Sequence, residues 1–186
     1  MSKIGQKPIE VPATVSLTVD GNKIAIKGSQ GEMAIVLPKK IKLVKQENNF
    51  LVERNGDEKK TKSIHGLYRQ LIDNAVKGVE KPWEKKLKVV GTGFNVKLDK
   101  EDLLFKLGYS HPVRFQKVAG IKFQVEGNTK ITVLGSDKQL VGEIAYQIKM
   151  LKKPDVYKGK GIQYENEKLR IKPGKKAKTA GPGTAA

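Results

Sequence analysis

The sequence predicts an α+β protein of two tandem duplicated domains, each an antiparallel β-sheet packed against one α-helix. Three observations predict it. Short runs alternate apolar and polar residues at the strand period of two. A run at helical spacing follows them, and the whole order, strands then helix, occurs twice in 186 residues. A chain of this length holds two domains of about 80 to 100 residues, each able to bury a modest core.

The first strands lie in residues 14–54. Val15, Leu17 and Val19 point one way, and Ile24 and Ile26 follow a turn at Asp20-Gly21-Asn22. An Asp-Gly turn between two alternating runs signals a hairpin. Runs at Met33 to Leu37, Ile41 to Val44 and Phe50 to Val52 extend an antiparallel sheet. The period then switches: Ile64, Leu67, Tyr68, Leu71, Ile72, Ala75, Val76 and Val79 make one helical stripe. Asp57 or Ser63 is positioned to cap this helix, and Pro82 lies beyond its end. Arg69 then falls on the polar face, opposite Leu67 and Leu71.

The second half repeats the order. Lys88 to Val90, Phe94 to Leu98, Leu103 to Leu107 and Val113 to Phe115 read as short strands. Ile121 to Val125, a turn at Glu126-Gly127-Asn128 and Ile131 to Leu134 form a hairpin. A helix runs from about Asp137 to Leu151, capped by Ser136 or Asp137 and closed by Pro154. The segment from Ile41, IKLVKQENNFLVERNG, parallels IKFQVEGNTKITVLGS from Ile121. The junction falls near Gly78 to Trp83, where the single Trp is expected to pack between domains. The expected boundaries are 1–81, 82–172 and a flexible basic tail over 173–186.

Charge points to the partner. Lys and Arg total 37 against 19 Asp and Glu, a net +18, and the pI is near 9.9. A polyanion is the natural partner, because each neutralised phosphate releases counterions. Only four of the cations are Arg, which favours recognition of backbone and shape over base edges. From Lys149 onward there are 11 cations and 3 acids. The second domain and its tail are therefore the expected binding surface. There is no Cys, which excludes disulfides, thiolate metal sites and Cys nucleophiles. No run approaches the roughly 20 apolar residues of a membrane span, and MSKIGQKPIEVP lacks a signal-peptide core. A soluble cytoplasmic protein is expected.

Directly after the second helix stands KKPDVYKGKGIQY, residues 152–164. Glycines without Cβ let a backbone approach phosphate, lysines supply charge, and a tyrosine stacks on a base or ribose. The spacing matches neither a Walker A loop nor the dinucleotide fingerprint. PDVYKGKGI, from Pro154, resembles the signature of the sixth large-subunit ribosomal protein family in its bacterial form. SKIGQKPIEVP, HGLYRQLIDN from His65, LGYSHPV from Leu107 and GSDKQLVGEIAYQI from Gly135 agree with that family in order and spacing.

The resemblance implies two tandem α+β domains. It implies binding to large-subunit ribosomal RNA near the sarcin–ricin region at the stalk base, beside neighbouring large-subunit ribosomal proteins and close to translational GTPases. The chain would be ribosome-bound, with no membrane partner. Departures are Phe94-Asn95, where the family tends to place an aromatic before Arg or Lys, Ala119 in place of Pro, and Lys149 and Lys152 in place of Arg.

On this reading Lys152, Lys153, Lys158, Lys160, Arg170, Lys172, Lys175 and Lys176 meet phosphate. Gly159 and Gly161 permit the approach, Tyr157 stacks, and Arg69 and His111 are further candidate contacts. No catalytic residue, metal or cofactor is expected. The two histidines, His65 and His111, have no ligand cluster around them. Ser110 and His111 adjoin in an extended segment and point to opposite faces. Two rivals remain open. A free-standing RNA or DNA regulator would follow messenger RNA or chromosomal DNA instead of ribosomes. An enzyme acting on nucleic acid would show turnover and needs an acid cluster that the sequence lacks.

Overall fold

The structure, a computed structural model, describes residues 3–46 and 49–174. Its first half runs β1 (Ile9–Glu10), β2 (Ser16–Asp20), β3 (Lys23–Gly28), β4 (Gly31–Val36), β5 (Ile41–Gln46), β6 (Asn49–Arg54) and α1 (Lys59–Glu80). The second runs β7 (Trp83–Val90), β8 (Asn95–Asp99), β9 (Asp102–Lys106), β10 (Val113–Phe115), β11 (Ile121–Glu126), β12 (Lys130–Gly135) and α2 (Lys138–Leu151). A further strand, β13 (Gly161–Tyr164), ends it.

The α+β class and the tandem repeat are as expected, but each half splits its strands into two sheets. One is a meander, β2-β3-β4 in the first half and β8-β9-β10 in the second. The other is β1-β6-β5 in the first half and β11-β12-β7-β13 in the second. Strand for strand the halves correspond, because β1 pairs β6 as β7 pairs β12, and β5 pairs β6 as β11 pairs β12. The 41–56 and 121–136 segments are these matching hairpins. Among the described residues only β13, on the far edge of β7, has no counterpart.

Turn chemistry follows the residues. Asp20 pairs Lys23, so Gly21-Asn22 is a two-residue turn with Gly21 at φ +57°, a conformation open to glycine at little cost. Gly127 and Asn128 take the same left-handed region between β11 and β12.

Two apolar cores result. One draws only on residues from Ile9 to Val79, the other on residues from Leu87 to Ile162. Helix α1 sits rotated from its expected stripe. It buries Thr61, His65, Arg69, Ile72, Val76 and Val79, leaving Leu67 53% exposed. Two overlapping lines on this helix both repeat at helical spacing. The buried line carries polar side chains whose hydrogen bonds all close inside the protein. His65 Nε2–H donates to Val52 O at 2.7 Å, and Arg54 donates to its Nδ1 at 3.3 Å. His65 is therefore a buried residue of the second turn of α1.

Neither expected cap serves α1. Its N-cap is Glu58, whose side chain makes no capping bond. Asp57 instead binds Arg54 at 2.7 Å, and Ser63 donates back to Lys60 O. At α2 the expectation holds, with Asp137 accepting from Gln139 N at 2.8 Å.

The halves meet at Trp83, whose Nε1 donates to Asn74 O at 3.0 Å while Lys138 Nζ lies 4.2 Å from the ring centre. Beside it, α1 passes so close to the second half that a Cβ on Gly78 would stand 1.9 Å from Ser136 O. Helical Ala is ordinarily favoured over Gly by about 1 kcal/mol. The exposed Gly142 of α2 has open space around it. Gly142→Ala should therefore raise the urea midpoint, whereas Gly78→Ala should lower it despite the better propensity. Two midpoints shifting in the same direction would show that the junction is not close-packed.

Candidate nucleic-acid interface

Helix α2 ends at Leu151 because Pro154 cannot continue it, and Lys152 turns out at φ −151°. The chain then makes a closed loop and returns to the sheet as β13. Asp155 organises the loop. Its carboxylate accepts from Lys158 N at 2.9 Å, its carbonyl accepts from Gly159 N at 2.9 Å, and its own N–H donates to Lys160 O at 2.9 Å. Ile162 N then donates to Lys152 O at 2.9 Å, closing the base.

The glycines serve this closure. Gly159 sits at φ +67°, and Gly161 at φ +146° packs so tightly that a Cβ would lie 2.7 Å from Lys153 O. The Gly159 amide already has its acceptor, and both glycines are buried. The expectation that they open the backbone to phosphate is thereby corrected: they admit the protein's own chain. The last four residues of the 152–164 segment form a strand, since Gly161–Tyr164 pairs with β7. Ile162 is fully buried in the second core.

After β13 the chain doubles back across the loop. Lys172 N donates to Val156 O at 2.8 Å, and the δ-carbons of Leu169 and Ile171 approach Gly159. Alternating with half-buried Leu169 and exposed Ile171, Lys168, Arg170 and Lys172 are exposed. Lys153, Tyr157, Lys158 and Lys160 are exposed on the loop, and Lys152 is half-buried. Residues 152–174 hold seven cations and three carboxylates. None of the seven cations pairs with a carboxylate among the described residues. An unpaired cationic cluster of this kind is ready for an anion, because it has no internal partner to give up.

A brace holds the surface to the core. Lys149 Nζ lies 2.6 and 2.7 Å from the two oxygens of Glu167, which also accepts from Tyr164 N at 3.1 Å. Lys149 and Lys85 both lie over the Tyr164 ring, 4.6 and 4.7 Å from its centre. The Lys149 hydrogen bond, aided by the Tyr164 amide, holds the Glu167 carboxyl below its ordinary range against the opposing effect of burial.

A second loop joins this end. Tyr109 OH donates to Leu151 O at 3.0 Å, and Lys152 Nζ lies 4.3 Å from the Tyr109 ring centre. His111, two residues on in the same loop, is exposed. Sequence reasoning missed Tyr109 and Lys168. The alternation of Lys168, Arg170 and Lys172 with Leu169 and Ile171 was the available signal for the latter.

Arg69 is the clear correction. It is 9% exposed, donates to Lys7 O at 3.2 Å and Pro8 O at 2.8 Å, and pairs with Asp73 at 3.3 Å. It anchors the strand that enters β1 and is not on an open polar face. Lys175 and Lys176 lie outside the described residues. Among the described residues no cluster of His, Cys, Asp and Glu could hold a metal ion, and no helix is long and apolar enough to cross a membrane.

The Glu167 brace has a pH signature. A carboxyl whose folded value lies below its unfolded value of about 4.3 stabilises fully above that pH and loses the contribution as pH falls through the folded value. Glu167→Gln should lower the urea midpoint at neutral pH, and the gap from the parent should close under acid. A gap that persists unchanged at low pH would show that the pair contributes nothing through charge.

The family model for ribosomal protein L6 matches residues 11–81 and 90–165. The large ribosomal subunit protein uL6 of Clostridium botulinum (strain Langeland / NCTC 10281 / Type F) is 44% identical over 179 residues, 96% of this chain and 99% of that relative. Its namesake in Syntrophomonas wolfei subsp. wolfei is 46% identical over 175 residues, 94% and 98% of the two chains. The two matched blocks fall one on each half, with the break inside junction strand β7 and the second block taking in the loop and β13. On that match, the chain belongs to the ribosomal protein L6 family.

Proposed function

We propose that this chain is a structural constituent of the large ribosomal subunit and grips large-subunit ribosomal RNA through its second half. The observation that carries the reading is the set of seven cations between Lys152 and Lys172, gathered on one braced surface without carboxylate partners. Lys152, Lys153, Lys158, Lys160, Arg170 and Lys172 meet phosphates, Lys168 joins them, and Tyr157 and His111 reach base or ribose. Lys175 and Lys176 extend the basic run toward the C-terminus. The domains are 1–81 and 82–172; the expected tail over 173–186 falls, from residue 175 on, outside the described residues.

The names of the curated relatives support the large-subunit assignment. The family resemblance supports a position near the sarcin–ricin region at the stalk base, beside other large-subunit proteins and within reach of translational GTPases. The chain acts in the cytoplasm on ribosomes, supports translation and needs no cofactor. It is not an enzyme, as befits a family of structural ribosomal proteins. Neutralising roughly six to ten phosphates makes binding by the isolated protein fall steeply with salt.

Sedimentation of a lysate through a high-salt gradient tests the assignment. The tagged chain should travel with the large subunit; recovery at the top with free protein would favour the regulator reading. At residue level, the double change Lys158→Glu and Lys160→Glu should weaken RNA binding by about tenfold or more and flatten the salt slope. Arg69→Ala should lower thermal stability while leaving RNA affinity unchanged. Equal affinity of the Glu double variant and the parent would remove the loop from the interface.

A further inference from the structure

The first half presents a surface of a different kind. Strand β4 is an edge of the β2-β3-β4 sheet, and after Glu32 it reads Met-Ala-Ile-Val. Edge strands are ordinarily guarded by lysines, prolines, bulges or a covering element. The rest of β4 carries no charge and no proline. Alongside it, against α1, runs a groove of about 270 Å³ floored by Met33, Ile35, Tyr68, Leu71 and Ala75. Val36 at its lip is 59% exposed. Leu67, one turn before Leu71, is 53% exposed. An apolar floor beside an unpaired backbone edge suits an extended peptide, which gains backbone hydrogen bonds along the edge and buries alternate side chains.

The charges around it indicate the partner. At the Val36 end stand Lys23, which pairs Val36 in the ladder, and Lys39. Both are exposed, and neither meets a carboxylate among the described residues. The apolar floor carries no cation, and Lys138 on the groove wall lies over the Trp83 ring beside Asp137. That lining argues against RNA there. A second copy would bring +18 against +18.

We propose that the β4 edge takes an extended segment of another protein, alternating in apolar residues and led by acidic ones. It adds antiparallel, as every paired strand in the described fold does. Its acidic end lies beside Val36, within reach of Lys23 and Lys39. The RNA surface lies in the other half, so one chain can hold both partners at once.

The test uses the full chain and a synthetic eight-residue peptide, two aspartates followed by alternating valine and threonine, with backbone amide shifts followed by NMR. Saturable shifts confined to residues 31–36 and 67–75 are expected. A peptide of the same composition in scrambled order, and one N-methylated on alternate amides, should bind at least about tenfold more weakly, as should the double change Lys23→Glu and Lys39→Glu with the parent peptide. Equal binding of the N-methylated peptide, shifts elsewhere or none at all would overturn the proposal. So would the same residues shifting with polyuridylate, or with rising protein concentration alone.

Discussion

The antiparallel seating of β13 on β7 is the constraint on which the basic surface depends. Ile162 is fully buried and pairs Val89, so the chain leaving α2 has few residues in which to return to the sheet. That short span forces the tight turn closed by Asp155, and the turn needs Gly159 and Gly161 where it passes against its own backbone. The outward direction of Lys158 and Lys160 follows, because the backbone groups between them are bonded inward. The return of 165–172 across the loop then adds Lys168, Arg170 and Lys172 to the same surface. A loop of equal composition without β13 would spread its charge over many conformations and lose more entropy on binding.

The duplication explains why only one half carries this device. Six strands and a helix repeat with the same pairings, so the scaffold itself holds no preference between RNA and protein. The difference lies in the segments after the helix and in the residues along it. The second half adds β13 and the basic return. The first half places polar side chains on its helix instead, with His65 and Arg69 facing Val52 and the segment entering β1. Using those positions for internal hydrogen bonds rotates α1 and leaves Leu67 and much of the Leu71 side outside. Buried polar groups are costly when unpaired, and here His65 pairs with Val52 O and Arg54, and Arg69 with Lys7 O, Pro8 O and Asp73.

Much of the fold was legible in the sequence because its signals are local. The Asp20-Gly21-Asn22 turn, the Asp137 cap and the hairpin leading into each helix are all short-range features. The split of strands into two sheets was not legible, since alternation states which face is buried and not which strand lies beside it. Arg69 was misread because helical periodicity admits two adjacent stripes on α1, and tertiary partners choose between them. At the site, the Gly-Lys pattern marked a segment that the structure shows as a closed basic loop, with its glycines serving the closure. A glycine that lets the chain approach a phosphate and one that lets it approach its own carbonyl read identically in sequence. Tyr109 was beyond reach, because its contact with Leu151 joins residues 42 apart.

The surface also sets a limit on its own stability. Seven cations within 23 residues repel one another in the free protein, and that repulsion opposes the compact state. Ion pairing within the set would relieve it but would also block the partner, since each bridge must break on binding. The structure separates the two demands. Lys149 sits partly buried below the surface and takes Glu167, while Lys85 and Lys149 share the Tyr164 ring. A partly shielded pair is screened less by salt than an exposed one, so the brace keeps its strength at the ionic strengths where the outer lysines are screened. The cations above it stay unpaired at the cost of some stability, and a polyanion that binds the folded state alone restores that stability by mass action. The pairing that steadies the surface and the unpaired cations above it are thus carried by different side chains.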